Sequence, residues 1–125
     1  MTALPEPTKA ELEILKVLWE QGPSTVRAVN KELNKQRELN YSSTLKLMQI
    51  MVDKGLLLRD ESQMKHIYRP AEAEQKTKSF LLDRFVKNLY NGSPANLMMQ
   101  LLGDGKTSKE ELEAMKKILK QLENK

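Results

Sequence analysis

Apolar residues recur at helical spacing three times within the first 55 residues. Positions three or four residues apart predict amphipathic helices over about 8–20, 25–36 and 41–55. Three short helices with tight breaks, of which the last keeps an exposed polar side, form a helix-turn-helix pattern. The predicted buried sides carry Leu12, Leu15, Val17, Leu18 and Trp19, then Val26, Val29 and Leu33, then Thr44, Leu47, Met48 and Met51.

Capping residues mark where these helices begin. A side-chain oxygen at the cap accepts a hydrogen bond from a backbone N–H group that the helix leaves without a partner. At the far end of the third helix, Gly55 can adopt the left-handed conformation that ends a helix. The predicted caps are Thr8, with Glu11 completing a capping box, then Ser24 or Thr25, and then Ser42 or Ser43.

After the third helix the period of the pattern changes. Residues 56–60 and 66–69 are predicted strands, separated by the polar loop 61–65 and closed by Pro70. A hairpin that follows the third helix of such a motif is a wing, so residues 1–70 are predicted to form a winged helix-turn-helix domain. In DNA-binding modules of this kind the third helix lies in the major groove.

Residues 71–125 carry three more amphipathic stretches, over about 71–90, 94–102 and from 107 onwards. The apolar sides of these stretches must be buried against another protein surface. A second copy of the chain is favoured, because a small domain buries little surface alone and most soluble oligomers are two-fold dimers. The alternative is that these helices fold back on their own winged helix. The predicted dimer contacts are Phe80, Leu82, Phe85, Leu89, Leu97, Leu101, Leu112, Met115, Leu119 and Leu122.

These patterns together define the predicted fold class. It is mainly α with a small β-hairpin wing: a winged helix-turn-helix over residues 1–70, followed by a helical dimerisation arm over residues 71–125.

Composition narrows the choice of partners. The net charge of +4 and the pI near 9.3 favour an anionic partner such as double-stranded DNA. The absence of cysteine excludes disulfides, thiol catalysis and cysteine-based metal sites, and it fits a reducing cytoplasm. The sequence shows neither a signal-peptide pattern nor an apolar run of about 20 residues, so no membrane association is predicted.

Catalytic and metal-binding patterns are sparse. His66 is the only histidine, and neither a glycine-rich phosphate loop nor an HExxH pattern occurs. Asp60, Glu61 and His66 could gather around a metal ion, but exposed polar residues in a loop are the simpler interpretation. We therefore predict no enzymatic activity, no metal and no cofactor, and interpret the methionines mainly as packing residues.

Candidate DNA contacts lie on the exposed side of the third helix, at the start of the second helix and on the wing. His66 and Arg69 are further wing residues that are, or can become, cationic. The alternative is a winged-helix module that binds another protein and does not bind DNA specifically. The candidate contacts are Thr25, Arg27, Tyr41, Ser42, Ser43, Leu45, Lys46, Gln49, Ile50, Arg59 and Lys65.

Six short stretches, spread over nearly the whole chain, carry a resemblance by their order and spacing. They are Thr-Lys-Ala-Glu-Leu-Glu-Ile-Leu-Lys-Val-Leu-Trp at 8–19, Ser-Thr-Val-Arg at 24–27, Tyr-Ser-Ser-Thr-Leu-Lys-Leu-Met at 41–48, Val-Asp-Lys-Gly-Leu at 52–56, Ile-Tyr-Arg-Pro at 67–70 and Leu-Tyr-Asn-Gly-Ser at 89–93. Together they resemble the BlaI/MecI family of penicillinase repressors. The resemblance implies a homodimeric repressor that binds a palindromic operator and blocks transcription.

The same resemblance implies a route of induction. In that family a membrane-bound antibiotic sensor leads to cleavage of the repressor, which weakens the dimer and releases DNA. A sensor protease is therefore an implied partner, and the helix that matches residues 96–102 is the implied cleavage region. Family members are cut after an asparagine and before a phenylalanine, whereas the matching pair here is Gln100-Leu101. The cysteine cluster of the related copper-responsive repressors is absent, so copper sensing by that route is not expected.

The third helix departs from the family as well. Family members often carry arginine in place of Ile50, some carry it in place of Leu45, and threonine is frequent in place of Lys46. Arginine is the usual bidentate reader of guanine, whereas apolar groups contact the thymine methyl group. We therefore predict a different operator, with Lys46 and Gln49 as polar readers and Leu45 or Ile50 as methyl contacts. The alternative is that Leu45 and Ile50 face the protein and Lys46 meets only phosphate.

Overall fold

The structure has the predicted order of three helices, a hairpin and three further helices. It is a computed structural model and describes residues 5–124. None of the helices in this range has the length and apolar character needed to cross a membrane. The elements are α1 (Lys9–Gln21), α2 (Val26–Leu33), α3 (Tyr41–Lys54), β1 (Leu57–Asp60), β2 (Ile67–Pro70), α4 (Glu74–Tyr90), α5 (Pro94–Gly103) and α6 (Lys109–Glu123). These residues divide into two compact units, the first ending at Leu81 and the second beginning at Leu82.

Two of the predicted caps are confirmed in the first unit. The backbone N–H of Thr8 donates to Oε1 of Glu11 at 2.9 Å, and the backbone N–H of Glu11 donates to Oγ1 of Thr8 at 3.2 Å, which completes the capping box of α1. Thr25, rather than Ser24, caps α2 by accepting from the backbone N–H of Ala28. These two caps could be predicted from the local sequence, because both partners of each hydrogen bond lie within one helical turn.

The predicted cap of the third helix is wrong. Asn40 caps α3, and its Oδ1 accepts from the backbone N–H of Ser43 at 2.8 Å. Ser42 and Ser43 therefore lie inside the first turn, with exposed side chains. The prediction of a glycine at the other end is confirmed, because Gly55 follows the helix in the left-handed conformation with a φ of +85°.

Two helix boundaries differ from the prediction because of hydrogen bonds that the local pattern does not reveal. The second helix ends at Leu33 instead of residue 36, since the Asn34 side chain bonds to the backbone N–H and carbonyl of Leu39. The fourth helix begins at Glu74 instead of residue 71, since the backbone N–H of Ala71 donates to the carbonyl of Leu56 at 2.9 Å.

The core of the first unit lies between α1, α2, α3 and the root of the hairpin. Its largest fully buried side chains include those of Ile14, Met48 and Tyr68. Trp19, predicted to lie on the buried side of the first helix, is only partly buried and packs against this cluster. The cluster consists of Ile14, Leu15, Val17, Leu18, Val26, Val29, Leu33, Met48, Met51, Leu56, Leu57 and Tyr68.

A short bridge ties the hairpin to the start of α2. Strand β1 pairs antiparallel with β2, with Arg59 opposite Tyr68. Tyr68 also exchanges two backbone hydrogen bonds with Ser24, at 2.8 and 3.0 Å. Since Ser24 immediately precedes the cap Thr25, this bridge holds the wing beside the N-terminal turn of α2.

Candidate nucleic-acid interface

Helix α3 presents one side to the core and another to solvent. Thr44, Met48 and Met51 are fully buried, whereas Lys46 and Gln49 are exposed on the outer side. The predicted outer residues Tyr41, Ser42, Ser43 and Ile50 are exposed as well. The exposed side thus carries the cation Lys46, the apolar Ile50 and, one turn further along the same face, the carboxylate Asp53.

The N-terminal part of α3 is held by an asparagine of the preceding helix. Nδ2 of Asn30 donates to Oγ1 of Thr44 at 2.8 Å and to the backbone carbonyl of Leu39 at 3.0 Å. Thr44 is fully buried, so this bond joins two helices in the interior. The local sequence pattern does not reveal the role of Asn30, because its bonding partners lie 9 and 14 residues further along the chain.

The C-terminal end of α3 is held by an ion pair with α1. Nζ of Lys54 lies 2.6 Å from Oε1 of Glu11, whose side chain is almost completely buried. Burial acts to raise the pKa of Glu11, but the hydrogen bonds from Lys54 and Thr8 outweigh it, so the pKa lies below the ordinary value of 4.5. Contacts at both ends therefore fix the orientation of α3 relative to α1 and α2.

A cleft of about 490 Å³ opens between the start of α2, the start of α3 and the wing. It contains three fixed cations, and none of its lining residues is a carboxylate. The guanidinium of Arg27 stacks over the ring of Tyr41 at 5.4 Å, a cation–π contact that orients both side chains. The lining residues are Thr25, Val26, Arg27, Ala28, Lys31, Tyr41, Leu45, Met64, Lys65, His66 and Tyr68.

From the sequence, Leu45 could either face the protein or contact DNA. In the structure its side chain lies between these two environments. It is half-buried and packs partly against the core cluster, and it also lines the cleft. Ile50, in contrast, is 40% exposed on the outer side of α3. The two apolar substitutions in the third helix therefore lie in different environments.

The two predicted wing cations, Arg59 and Lys65, also differ. Nε of Arg59 lies 2.8 Å from Oε1 of Glu61, and a hydrogen bond with Tyr68 and the charge of Glu61 raise the pKa of Arg59. Its charge is therefore partly satisfied within the hairpin. Lys65 lines the cleft and has no ion-pair partner among residues 5–124. Beside it Met64 is completely exposed.

The predicted dimer contacts on α4, α5 and α6 are largely uncovered. Phe80, Leu97 and Met115 are half-buried. The other predicted contacts are exposed: Leu82, Phe85, Leu89, Leu101, Leu112, Leu119 and Leu122.

The structure also locates the implied cleavage pair and tests for a cluster of metal-binding side chains. Gln100 and Leu101 are exposed on α5, where Nε2 of Gln100 donates to the Asp104 carboxylate at 3.1 and 3.2 Å. In the described part of the chain, no three histidine, aspartate or glutamate side chains are grouped as a metal ion would require.

Comparisons with known proteins place the chain among repressors. The family model for the penicillinase repressor matches residues 7–121. A penicillinase repressor of Bacillus licheniformis is 25% identical over 124 residues, which cover 99% of this chain and 97% of the relative. The fold is also similar to a solution structure of monomeric Bacillus licheniformis BlaI in complex with the blaP half-operator. That match has a TM-score of 0.52 and 27% identity, and covers 60% of this chain and 92% of the solved chain.

Proposed function

Because this chain belongs to the penicillinase repressor family, we propose that it is a transcriptional repressor that binds a palindromic DNA operator as a homodimer. The family is one of repressors and not of enzymes. In this proposal residues 1–70 bind DNA and residues 71–125 form the dimer.

The observation that carries the proposal is the exposed side of α3 beside a cleft that has cations and no carboxylates. An α-helix fits the major groove of B-DNA, which is about 12 Å wide. Phosphate oxygens are negatively charged and accept hydrogen bonds, so cations and hydrogen-bond donors suit them, whereas a carboxylate close to them would be repelled. The arrangement therefore suits contacts from α3 to the bases, while the cleft residues beside α3 contact the DNA backbone.

The exposed positions of α3 suggest distinct roles. Lys46 and Gln49 can donate to base edges in the major groove, and Ile50 can contact a thymine methyl group. Leu45 reaches DNA only along the cleft, since its side chain is half-buried. Without arginine at positions 45 and 50, we expect an operator different from that of family members that carry it. A footprint that matched the penicillinase operators base for base would contradict this expectation.

Contacts to the sugar-phosphate backbone of DNA are assigned to residues in and around the cleft. Phosphate groups would meet cations from two elements, Arg27 on α2 and Lys65 on the wing. Arg59 contributes less in this proposal, because Glu61 already pairs with it. The remaining backbone contacts are the hydroxyl groups of Thr25, Tyr41, Ser42 and Ser43.

The homodimer in this proposal forms through the arm. Helices α5 and α6 contain no buried residue, although leucine and methionine recur along them. Side chains of this kind stabilise a fold only when they are removed from water, at about 25 cal/mol per Å² of apolar surface. A second copy offers the same surface and closes the assembly with two-fold symmetry, which matches the symmetry of a palindrome.

Relief of repression by proteolysis in α5 belongs to the same proposal. The side chains of Gln100 and Leu101 are exposed, and a cut between them would separate α6 from the DNA-binding unit. A sensor protease is the proposed partner. Its test is the appearance of a fragment ending at Gln100 when an inducer is applied to cells. A repressor that stays intact while its genes are induced would rule out this route.

The proposed function is tested by a mobility shift of the chain's own promoter DNA at several salt concentrations. Replacement of condensed cations by protein side chains makes the logarithm of affinity fall linearly with the logarithm of salt, by about 0.9 per phosphate contact. We expect a negative slope corresponding to several contacts, and weaker binding to a scrambled fragment. No shift, or a response that does not depend on salt, would favour a module that binds another protein instead.

A further inference from the structure

The cleft between α2, α3 and the wing contains one group whose charge can change near neutral pH. His66 lines it together with the fixed cations Arg27, Lys31 and Lys65. An imidazole changes its charge between about pH 5 and pH 8. The cleft therefore holds three fixed positive charges and a switchable fourth.

The charged and titratable groups that line the cleft with His66 come from each of its elements. Helix α2 contributes Arg27 and Lys31, α3 contributes Tyr41, and the wing contributes Lys65 and Tyr68. None of these groups is an acid that would be ionised near neutral pH.

The two carboxylates of the wing loop are already bound elsewhere. Asp60 accepts from the backbone N–H of Ser62 at 2.9 Å, and Glu61 pairs with Arg59 at 2.8 Å. The cations of the cleft therefore lack a matching carboxylate among the residues that line it. An anion that enters the cleft from outside would compensate the fourth charge.

We propose that His66 is a phosphate contact that takes up a proton from solvent as DNA binds. This inference rests on the proposed function and adds the proton as a second species bound by the complex. A backbone phosphate in the cleft adds a negative charge beside the three fixed cations and so stabilises the imidazolium form. Since linkage is reciprocal, a phosphate that favours the protonated histidine is itself bound more tightly as the pH falls.

The sequence makes the inference unusually direct to test. His66 is the only histidine and there is no cysteine, so no other side chain ordinarily titrates between about pH 6 and pH 8. A change of DNA affinity in that range that disappears with the histidine can be assigned to a single residue.

The experiment measures the affinity of the full chain for its promoter fragment at constant ionic strength, between about pH 8 and about pH 6. Full uptake of one proton raises affinity about tenfold per pH unit for each wing bound, so we expect a total rise of at least about threefold. His66→Gln, which carries no charge in this range, should show no rise. His66→Lys, which is permanently charged, should also stay level.

Lys65→Gln is the matched control. It removes a fixed cation from the same cleft, so binding should weaken at every pH while the pH dependence remains. A wild-type affinity that is constant over the range, or a His66→Gln variant that keeps the wild-type pH dependence, overturns the inference but leaves the proposed function intact. Absence of salt-dependent DNA binding at every pH overturns both.

A second measurement does not depend on affinity. Because the chain has a single imidazole, its ring-proton resonances belong to His66, and their titration can be followed by NMR with and without the promoter fragment. The titration midpoint should move to higher pH in the complex. A midpoint that is the same in both samples overturns the inference even if the affinity happens to vary with pH.

Discussion

Lys46 and Lys65 carry the same charge but occupy different places in the proposed complex. Lys46 lies on the exposed side of α3, and Lys65 lies in the cleft beside the wing. If Lys46 contacts a base, Lys46→Ala should reduce the preference for operator over random DNA by about 1–3 kcal/mol. Lys65→Ala should weaken both DNAs similarly and lower the salt slope by about one contact. Titrations of both fragments measure the difference.

A lysine of the second unit provides the control. Lys117 is exposed on α6, so Lys117→Ala makes the same change of charge without removing a DNA contact. Lys117→Ala should leave the preference for operator over random DNA, and the dependence of affinity on salt, nearly unchanged. Equal losses on operator and random DNA for Lys46→Ala and Lys65→Ala would show that the two roles are assigned wrongly.

Glu11 links the stability of the first unit to pH. Because its pKa is lowered in the folded chain, the stabilisation is present at neutral pH and is lost as the pH falls below the ordinary value of 4.5. Glu11→Gln should lower the free energy of unfolding by about 1–3 kcal/mol near neutral pH. Its difference from wild type should shrink in acid. Urea unfolding of wild type and Glu11→Gln, near neutral pH and in acid, measures this difference in the free energy of unfolding.

Glu13 offers a matched substitution on the same helix. It pairs with Arg37 at 3.1 Å, and both side chains are partly exposed. Exposed ion pairs contribute about 0–1 kcal/mol, so Glu13→Gln should have little effect at either pH. A gap between wild type and Glu11→Gln that does not narrow in acid would contradict the role of the Glu11 carboxylate.

At the scale of elements, the turn between α2 and α3 depends on one half-buried amide. Asn30→Ala removes the bonds to Leu39 and Thr44 and leaves the buried Thr44 hydroxyl with fewer partners. We expect a loss of about 1–3 kcal/mol in unfolding free energy. Operator affinity should also decrease, measured under conditions where the variant is fully folded, because the interior hydrogen bond that orients α3 on α2 is lost.

Asn34 is the control for that turn. It also bonds to Leu39 but is exposed, so water can replace its contacts and Asn34→Ala should cost less. If Asn34→Ala weakened operator binding more than Asn30→Ala does, the orientation of α3 would not depend on the interior bond.

The elements themselves could be predicted because their signals are local. Apolar periodicity located all three helices before the hairpin, and the Thr8 box fixed the start of α1. The start of α4 could not be predicted, because it depends on a backbone bond from Ala71 to Leu56. The Asn40 cap is local but was overlooked beside two serines, which are equally good caps.

At the scale of the whole molecule, the sequence located the exposed side of α3 but not the cleft beside it. The cleft exists because the bridge between Ser24 and Tyr68 brings the wing to the start of α2. That bridge joins residues far apart in sequence, and no periodicity encodes it. Likewise Glu11 was identified as a capping residue, but its partner Lys54, 43 residues away, was not.

The exposed leucines of the arm test assembly and DNA binding together. In a two-fold interface Leu119→Glu places two charges where two apolar side chains were buried, so the variant should sediment as a monomer. Loss of the link between two half-sites should weaken binding to the full promoter fragment by about a hundredfold. A fragment with one half-site should be bound as before. Gln121→Glu adds the same charge away from the apolar stripe and should remain dimeric. A Leu119→Glu protein that stays dimeric would place the interface elsewhere.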